Sequence, residues 1–161
     1  MINVLFVCLG NICRSPLAEA IFTDLVNKRG LQNHIAADSC GTSNYHIGED
    51  PDPRSTQSAQ NHGVPISHKG RQLHKSDFEE FEYILPMDSS NLRNTLDKMK
   101  KSTDPISKVQ LMREYDPEGK GEDVPDPYYG GEQGFENVFQ MLHRSCEQLL
   151  DVIVKEHSLD T

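Results

Sequence analysis

The sequence predicts an α/β fold: a single domain with a central, parallel, four-stranded sheet and helices on both faces. Three observations lead there. The 161 residues suit one unit with a sizeable core. Short apolar runs alternate with stretches of helical period, and that alternation argues a parallel sheet covered on both sides. No internal repeat, low-complexity tract or linker divides the chain, so residues 1–161 are expected to form one domain.

The elements follow in order. Ile2 to Val7 reads as a buried strand. Ser15-Pro16 reads as a helix start, with Ser15 as cap and Pro16 at the first helical position, where its missing N–H costs nothing. Leu17, Ile21 and Leu25 then repeat at helical spacing until Gly30. His34 to Ser39 is a short, weakly patterned strand, and Arg54 to Asn61 a polar helix ended by Gly63. Tyr83-Ile84-Leu85 gives a third strand. Asp88 or Ser89 caps a helix carrying Leu92, Leu96 and Met99, and Ser107 to Met112 offers a fourth strand. Phe135, Val138, Phe139, Leu142, Cys146, Leu149 and Ile153 fall on one face of a last helix.

Between the first strand and the first helix lies Cys8-Leu9-Gly10-Asn11-Ile12-Cys13-Arg14-Ser15. A loop entering a helix N-terminus turns backbone N–H groups inward, and the helix dipole adds partial positive charge. The result is a cradle for a tetrahedral oxyanion, here with Cys8 at its floor and at the carboxyl end of a strand, where such sheets bind ligands. The N–H groups and the Arg14 guanidinium favour a thiolate. Arg14 can also present two parallel N–H groups to two phosphate oxygens. Ser15 could donate a hydrogen bond to the Cys8 sulfur, and Gly10 lets backbone approach the anion. The loop lacks the Gly-Lys-Ser/Thr ending of a nucleotide-binding loop. Cysteines near a strand end are also often plain buried thiols.

A second segment, Asp126-Pro127-Tyr128-Tyr129-Gly130, lies in a stretch rich in Gly, Pro and acidic residues. Expelling an alkoxide or phenolate from phosphorus benefits from a proton donor. Asp126 is a candidate if partial burial and neighbouring charge keep it protonated, and Pro127 would restrain it. Tyr128 and Tyr129 would supply aromatic walls. An ordinary solvated turn reads the same way.

The run from Val4 to Ala20 closely resembles the low molecular weight protein tyrosine phosphatases. So do Asp52-Pro53-Arg54, Asn61-His62-Gly63, His68-Lys69, Met87-Asp88 and Asp126 to Gly130, in the family's order across nearly the whole chain. The resemblance implies a phosphate-binding loop of Leu9, Gly10, Asn11, Ile12, Cys13, Arg14 and Ser15. In it Cys8 is the nucleophile, Arg14 the phosphate clamp and Asp126 the general acid. It further implies that Asn11, Ser15, Ser39 and His68 hold the loop in shape. Leu9, Tyr45, His46, Tyr128 and Tyr129 line the pocket rim, and Cys13 can form a reversible disulfide with Cys8. Tyr45 stands where some relatives carry tryptophan and His46 where some carry asparagine; Tyr45 could instead anchor its loop on the core. The implied reaction runs through a phosphocysteine, with phosphotyrosine proteins or peptides as substrates and inorganic phosphate as product. No cofactor and no metal is expected: the histidines are dispersed and no Cys-x2-Cys pair gives zinc spacing.

Composition narrows the partners. A formal net charge of -9 opposes nonspecific binding to nucleic acid phosphates. Hydrophobic residues at 35% with no long apolar run give no reason to expect membrane insertion. His68, Lys69 and Arg71 read as a solvated patch. A short apolar start without a basic leader suggests a cytoplasmic protein. Four unevenly spaced cysteines do not suggest a disulfide framework. Cys146 is expected in the core, and Cys40 as structural or redox-active. Two other readings compete with the phosphatase. One is a thiol-dependent arsenate reductase, which would need relay cysteines the segment from Tyr83 to Leu92 lacks. The other is a catalytically dead phosphotyrosine-binding module.

Overall fold

In the computed structural model, which describes residues 1–159 apart from the side chain of Tyr129, the chain alternates strand and helix. Strand β1 (Ile2–Cys8) is followed by helix α1 (Arg14–Lys28), β2 (Ile35–Gly41), α2 (Pro53–Asn61) and a short helix α3 (Asp77–Glu80). Then come β3 (Tyr83–Pro86), α4 (Ser89–Met99), β4 (Lys108–Val109), 3-10 turns at Met112–Tyr115 and Pro127–Tyr129, and α5 (Gly131–Glu156). The sheet has four strands in the order β2-β1-β3-β4, all parallel.

Strand β1 is central, and Val4 through Cys8 are buried on both faces, as a parallel strand between two helical layers requires. Its period of two divides the core. Val4, Phe6 and Cys8 join the larger cluster with Leu17, Ile21 and Phe22 of α1 and Val138, Leu142 and Leu149 of α5. Leu5 and Val7 face the opposite cluster, with Cys40, Phe78 and Ile84, against which Met99 of α4 packs. Phe6 and Phe22 meet edge to face at 5.6 Å. Each such ring stabilises the fold by about 1.5–3 kcal/mol through burial.

Four expectations need correction. Helix α1 starts at Arg14 with Cys13 as its cap residue and no side-chain cap bond, so Ser15 is not the cap. Its hydroxyl turns to Cys8 and Asn11 instead. Pro16 is therefore the third helical residue and not the first, though still within the first turn, where no intrahelical bond is lost. The cap-then-proline pattern is realised at Asp52-Pro53, where the Asp52 carboxylate accepts the Arg54 N–H. The fourth strand shrinks from Ser107–Met112 to Lys108–Val109, because the chain leaves the sheet edge to bury Met112 in the larger cluster. On α4, capped by Asp88, the buried residues are Asn91 and Thr95, while Leu96 is 41% exposed. Thr95 satisfies its hydroxyl on the Asn91 carbonyl at 2.6 Å, so a polar face can pack inward.

The parallel pairing of β1 with β2 runs two residues past the expected end, to Gly41 opposite Cys8. A Cβ on Gly41 would sit 2.6 Å from the Leu9 carbonyl oxygen, so only glycine lets β2 lie against the loop here. No helix is long and apolar enough to cross a membrane among the described residues.

Candidate active site

Cys8 is the last residue of β1 and Arg14 the first of α1, so the loop between them is fastened to rigid elements at both ends. The Cys8 sulfur is almost completely buried. It accepts the Asn11 N–H at 3.2 Å and shares a hydrogen bond with the Ser15 hydroxyl at 2.9 Å. The inward N–H and the seryl hydroxyl therefore both converge on the sulfur.

Asn11 holds the loop's shape. Its backbone is left-handed (φ 59°), a conformation asparagine tolerates better than most side chains. Its amide donates to Ser15 Oγ at 2.8 Å and Ser39 Oγ at 3.1 Å. Its Oδ1 accepts from His68 Nε2 at 2.7 Å and the Arg71 N–H at 3.0 Å. His68 Nδ1 faces Glu19 at 3.1 Å, and Ser39 donates to the same Glu19 oxygen at 2.7 Å. Thus Asn11, Ser15, Ser39 and His68 form one connected network.

His68 and Arg71 are not a solvated patch. His68 is largely buried in this network, and Arg71 clamps Asp38 of β2 and Asp77 of α3. Lys69 alone of the three is exposed, paired with Asp50. Glu19, Asp38 and His68 are the one group among the described residues whose spacing could hold a metal ion. Their bonds to one another, to Ser39 and to Arg71 already occupy those atoms.

Arg14 is 5% exposed, and one of its nitrogens is committed: Nη1 donates to Asp88 Oδ2 and to the Val124 carbonyl, both at 2.8 Å. Among the described residues nothing hydrogen-bonds Nε or Nη2, so a planar N–H pair stays free for an oxyanion. Asp88 has two jobs, its Oδ1 capping α4 through the Asn91 N–H at 2.7 Å. Its sequence context signalled only the cap. Glu19, one helical turn beyond Ser15, and Gly41 at a strand end were the remaining signals for site residues that pattern reading passed over.

Asp126 begins the 3-10 turn Pro127–Tyr129, its Oδ1 accepting the Tyr128 N–H at 2.9 Å. The carboxylate is exposed, not partly buried as expected. It lies close enough to the loop to act on Cys13. Burial chiefly, then the Asp52 carboxylate, Cys8 and Asp126, push the Cys13 thiol up to about 12, partly offset by a hydrogen bond from Ser55. Burial also drives the Cys40 and Cys146 thiols well above their usual range. Both are fully buried, Cys146 in the core as expected, and neither can relay a disulfide to the surface.

Around the loop, Leu9 (47%), Tyr45 (71%) and Tyr128 (50%) are exposed. Tyr45 therefore does not anchor its loop on the core. His46 pairs with Glu49 at 2.9 Å and lies against Gly10, where an added Cβ would come within 2.9 Å of its ring. The side chain of Tyr129 lies outside the described residues.

A buried cysteine at a strand end, held by the Asn11 N–H and the Ser15 hydroxyl beside an arginine with a free N–H pair, defines a cysteine-loop phosphatase architecture. The chain matches the family model described as low molecular weight phosphotyrosine protein phosphatase over residues 3–159, and it belongs to that family. It is 46% identical over 149 residues to the low molecular weight phosphotyrosine protein phosphatase of Homo sapiens, covering 92% of this chain and 94% of that one. Its fold is similar to the crystal structure of a protein tyrosine phosphatase from Entamoeba histolytica with Hepes in the active site. There the TM-score is 0.88 and the identity 37%, with 99% and 100% of the two chains covered. The crystal structure of DARP, a Drosophila arginine phosphatase, is similar at TM-score 0.85 and 39% identity, covering 93% and 96%.

Proposed function

We propose that the chain is a cysteine-dependent protein tyrosine phosphatase hydrolysing phosphotyrosine and aryl phosphate monoesters through a phosphocysteine. The observation that carries this is the Cys8 sulfur, held by the Asn11 N–H and the Ser15 hydroxyl at the floor of the loop. A thiolate there is stabilised first as nucleophile and later as leaving group. Arg14, steadied through Nη1, offers Nε and Nη2 to two equatorial oxygens and matches the charge that spreads over them in the transition state.

Cys8 attacks phosphorus in line, forming S–P as P–O breaks, while Asp126 protonates the departing tyrosyl oxygen. Its Oδ1 is engaged by Tyr128 N–H, so Oδ2 carries the proton. Water then attacks the phosphocysteine with Asp126 as base, releasing inorganic phosphate and the thiolate. The exposed Leu9, Tyr45 and Tyr128 favour an aromatic substrate, and phosphotyrosine-bearing proteins are the partners this implies. The likeness to an arginine phosphatase keeps phosphoarginine as a second reading, tested in the same assay.

That assay is turnover of p-nitrophenyl phosphate, a phosphotyrosine peptide and a phosphoarginine peptide in EDTA. Cys8→Ser should abolish activity, and Asp126→Ala should cut phosphotyrosine turnover by about 10²–10⁴-fold. Wild type inert towards both aryl phosphates would overturn the reading; exclusive phosphoarginine turnover would replace the substrate.

Redox control belongs to the same site. Peroxide oxidises the Cys8 thiolate to sulfenic acid, releasing hydroxide. The Cys13 thiolate then attacks that sulfur, forming S–S and expelling a second hydroxide. The expected outcome is recovery by dithiothreitol in wild type and, in Cys13→Ser, a loss that dithiothreitol does not reverse once a second peroxide has carried the unresolved sulfenic acid to sulfinic acid, each scaled to its own unoxidised rate. Equal recovery in both would remove Cys13 from the scheme.

A further inference from the structure

Two Asp-Pro turns flank the loop, Asp52-Pro53 at the start of α2 and Asp126-Pro127 before α5, and one side chain joins them. Arg54 Nε donates to Asp52 Oδ1 at 3.1 Å and Nη2 to Asp52 Oδ2 at 3.0 Å. Its remaining nitrogen, Nη1, donates to the Tyr128 carbonyl at 2.8 Å. The guanidinium also lies 4.6 Å from the Tyr128 ring centroid and 4.9 Å from that of Phe135.

Each end of this arm touches reacting machinery. The Asp52 N–H donates to the carbonyl of Ile12, in the phosphate loop, at 2.7 Å. The Tyr128 N–H donates to Asp126 Oδ1. A continuous path therefore runs from Ile12 through Asp52, Arg54 and Tyr128 to the Asp126 carboxyl. Asp126 is exposed at the start of a three-residue turn; buried Pro127 seats that turn, and the Arg54 bond to the Tyr128 carbonyl ties its far side back to the loop.

We propose that Arg54 is a positioning residue for Asp126, setting the height of the general acid above the phosphate loop and the tilt of the Tyr128 ring at the rim. The proposal rests on the phosphatase reading above. Only a planar fork can chelate Asp52 and reach the Tyr128 carbonyl while stacking on two rings; a lysine ammonium is a point donor and cannot do all three.

The consequence is selective. A misplaced acid penalises substrates whose leaving oxygen needs a proton and spares those whose anion departs unaided. The test compares kcat/KM for p-nitrophenyl phosphate, phenyl phosphate and a phosphotyrosine peptide, since kcat/KM reports only steps up to departure of the leaving group. Arg54→Ala, Arg54→Lys, Asp126→Ala and Arg54→Ala/Asp126→Ala are measured beside wild type, with thermal melts for each.

Arg54→Ala should lower kcat/KM for phenyl phosphate and the peptide by roughly 10–100-fold, a part of what a general acid supplies, and that for p-nitrophenyl phosphate several-fold less. Arg54→Lys should share the defect, and adding Arg54→Ala to Asp126→Ala should cost little more. An equal loss on all three substrates, full rescue by lysine, or multiplicative losses in the double variant would overturn the proposal. An inactive wild type would instead overturn the phosphatase reading. Asp126→Ala without leaving-group dependence would overturn the role of the acid itself.

Discussion

At the residue scale, the site is a set of side chains whose polar atoms are almost all committed before substrate arrives. Asn11 alone satisfies Ser15, Ser39, His68 and the Arg71 N–H, so the loop needs no rearrangement to present its sulfur. Cys13 is the contrast. Its thiol is pushed up to about 12, first by burial and then by Asp52, so very little thiolate exists at neutral pH. Since only the thiolate resolves a sulfenic acid, disulfide formation after peroxide should speed up about tenfold per pH unit between pH 6 and 8, measured by mass spectrometry of trapped species. A flat profile would mean that another group takes the Cys13 proton in the rate-limiting step.

At the scale of elements, the segment from Met112 to Val124 leads into the Asp126 turn and is tied down by one buried carboxylate. Asp116 accepts from Arg113 Nε at 2.9 Å, from Arg144 of α5 at 3.0 and 3.1 Å, and from the Glu118 N–H at 2.9 Å. Arg113 reaches on to the Asp123 carbonyl, and the Val124 N–H is bonded to Met87. Burial opposes the Asp116 charge, but hydrogen bonds from Arg144, the Glu118 N–H and Arg113 outweigh it and hold the carboxyl below its usual range. A lowered folded pKa means the unfolded state binds the proton more readily. The contribution is therefore complete above the unfolded value of about 4 and is lost as pH falls through the folded one. Asp116→Ala should cost about 3–5 kcal/mol in urea unfolding at pH 7, because it breaks the buried pair and leaves Arg113 only the exposed Glu122 carboxylate and the Asp123 carbonyl. The difference from wild type should shrink in acid; a loss under 1 kcal/mol would show that the loop is held from elsewhere.

At the scale of the whole molecule, a chain of net charge -9 carries the cradle proposed to take a phosphate dianion. A phosphopeptide approaching it meets long-range repulsion and short-range attraction. Raising ionic strength from about 0.01 to 0.15 M shortens screening from about 30 to 8 Å, which removes the first and spares the buried second. Stopped-flow kcat/KM for a peptide with acidic flanks should rise over that range, and more than for one with basic flanks. A fall for both would mean that the positive field of the loop governs encounter.

The sequence by itself determined the parallel sheet, the loop between Cys8 and Arg14, the Asp126 turn and the last helix. These depend on local patterns: a fully apolar strand, a helical stripe, Asp-Pro punctuation and spacing along one loop. It did not determine where α1 begins, because Ser15 obeys Cys8 and Asn11 rather than its own capping preference. Nor did it show that β4 is two residues long, or that α4 packs a polar face. Only tertiary structure decided that His68 is enclosed and Arg71 committed to Asp38 and Asp77, that Asp88 divides its two oxygens between a helix cap and Arg14, and that Arg54 bridges the two Asp-Pro turns. The physical reason is range. Pattern along the chain records which face of an element is apolar, whereas hydrogen bonds spanning 74 residues exist only once the sheet has brought their partners together.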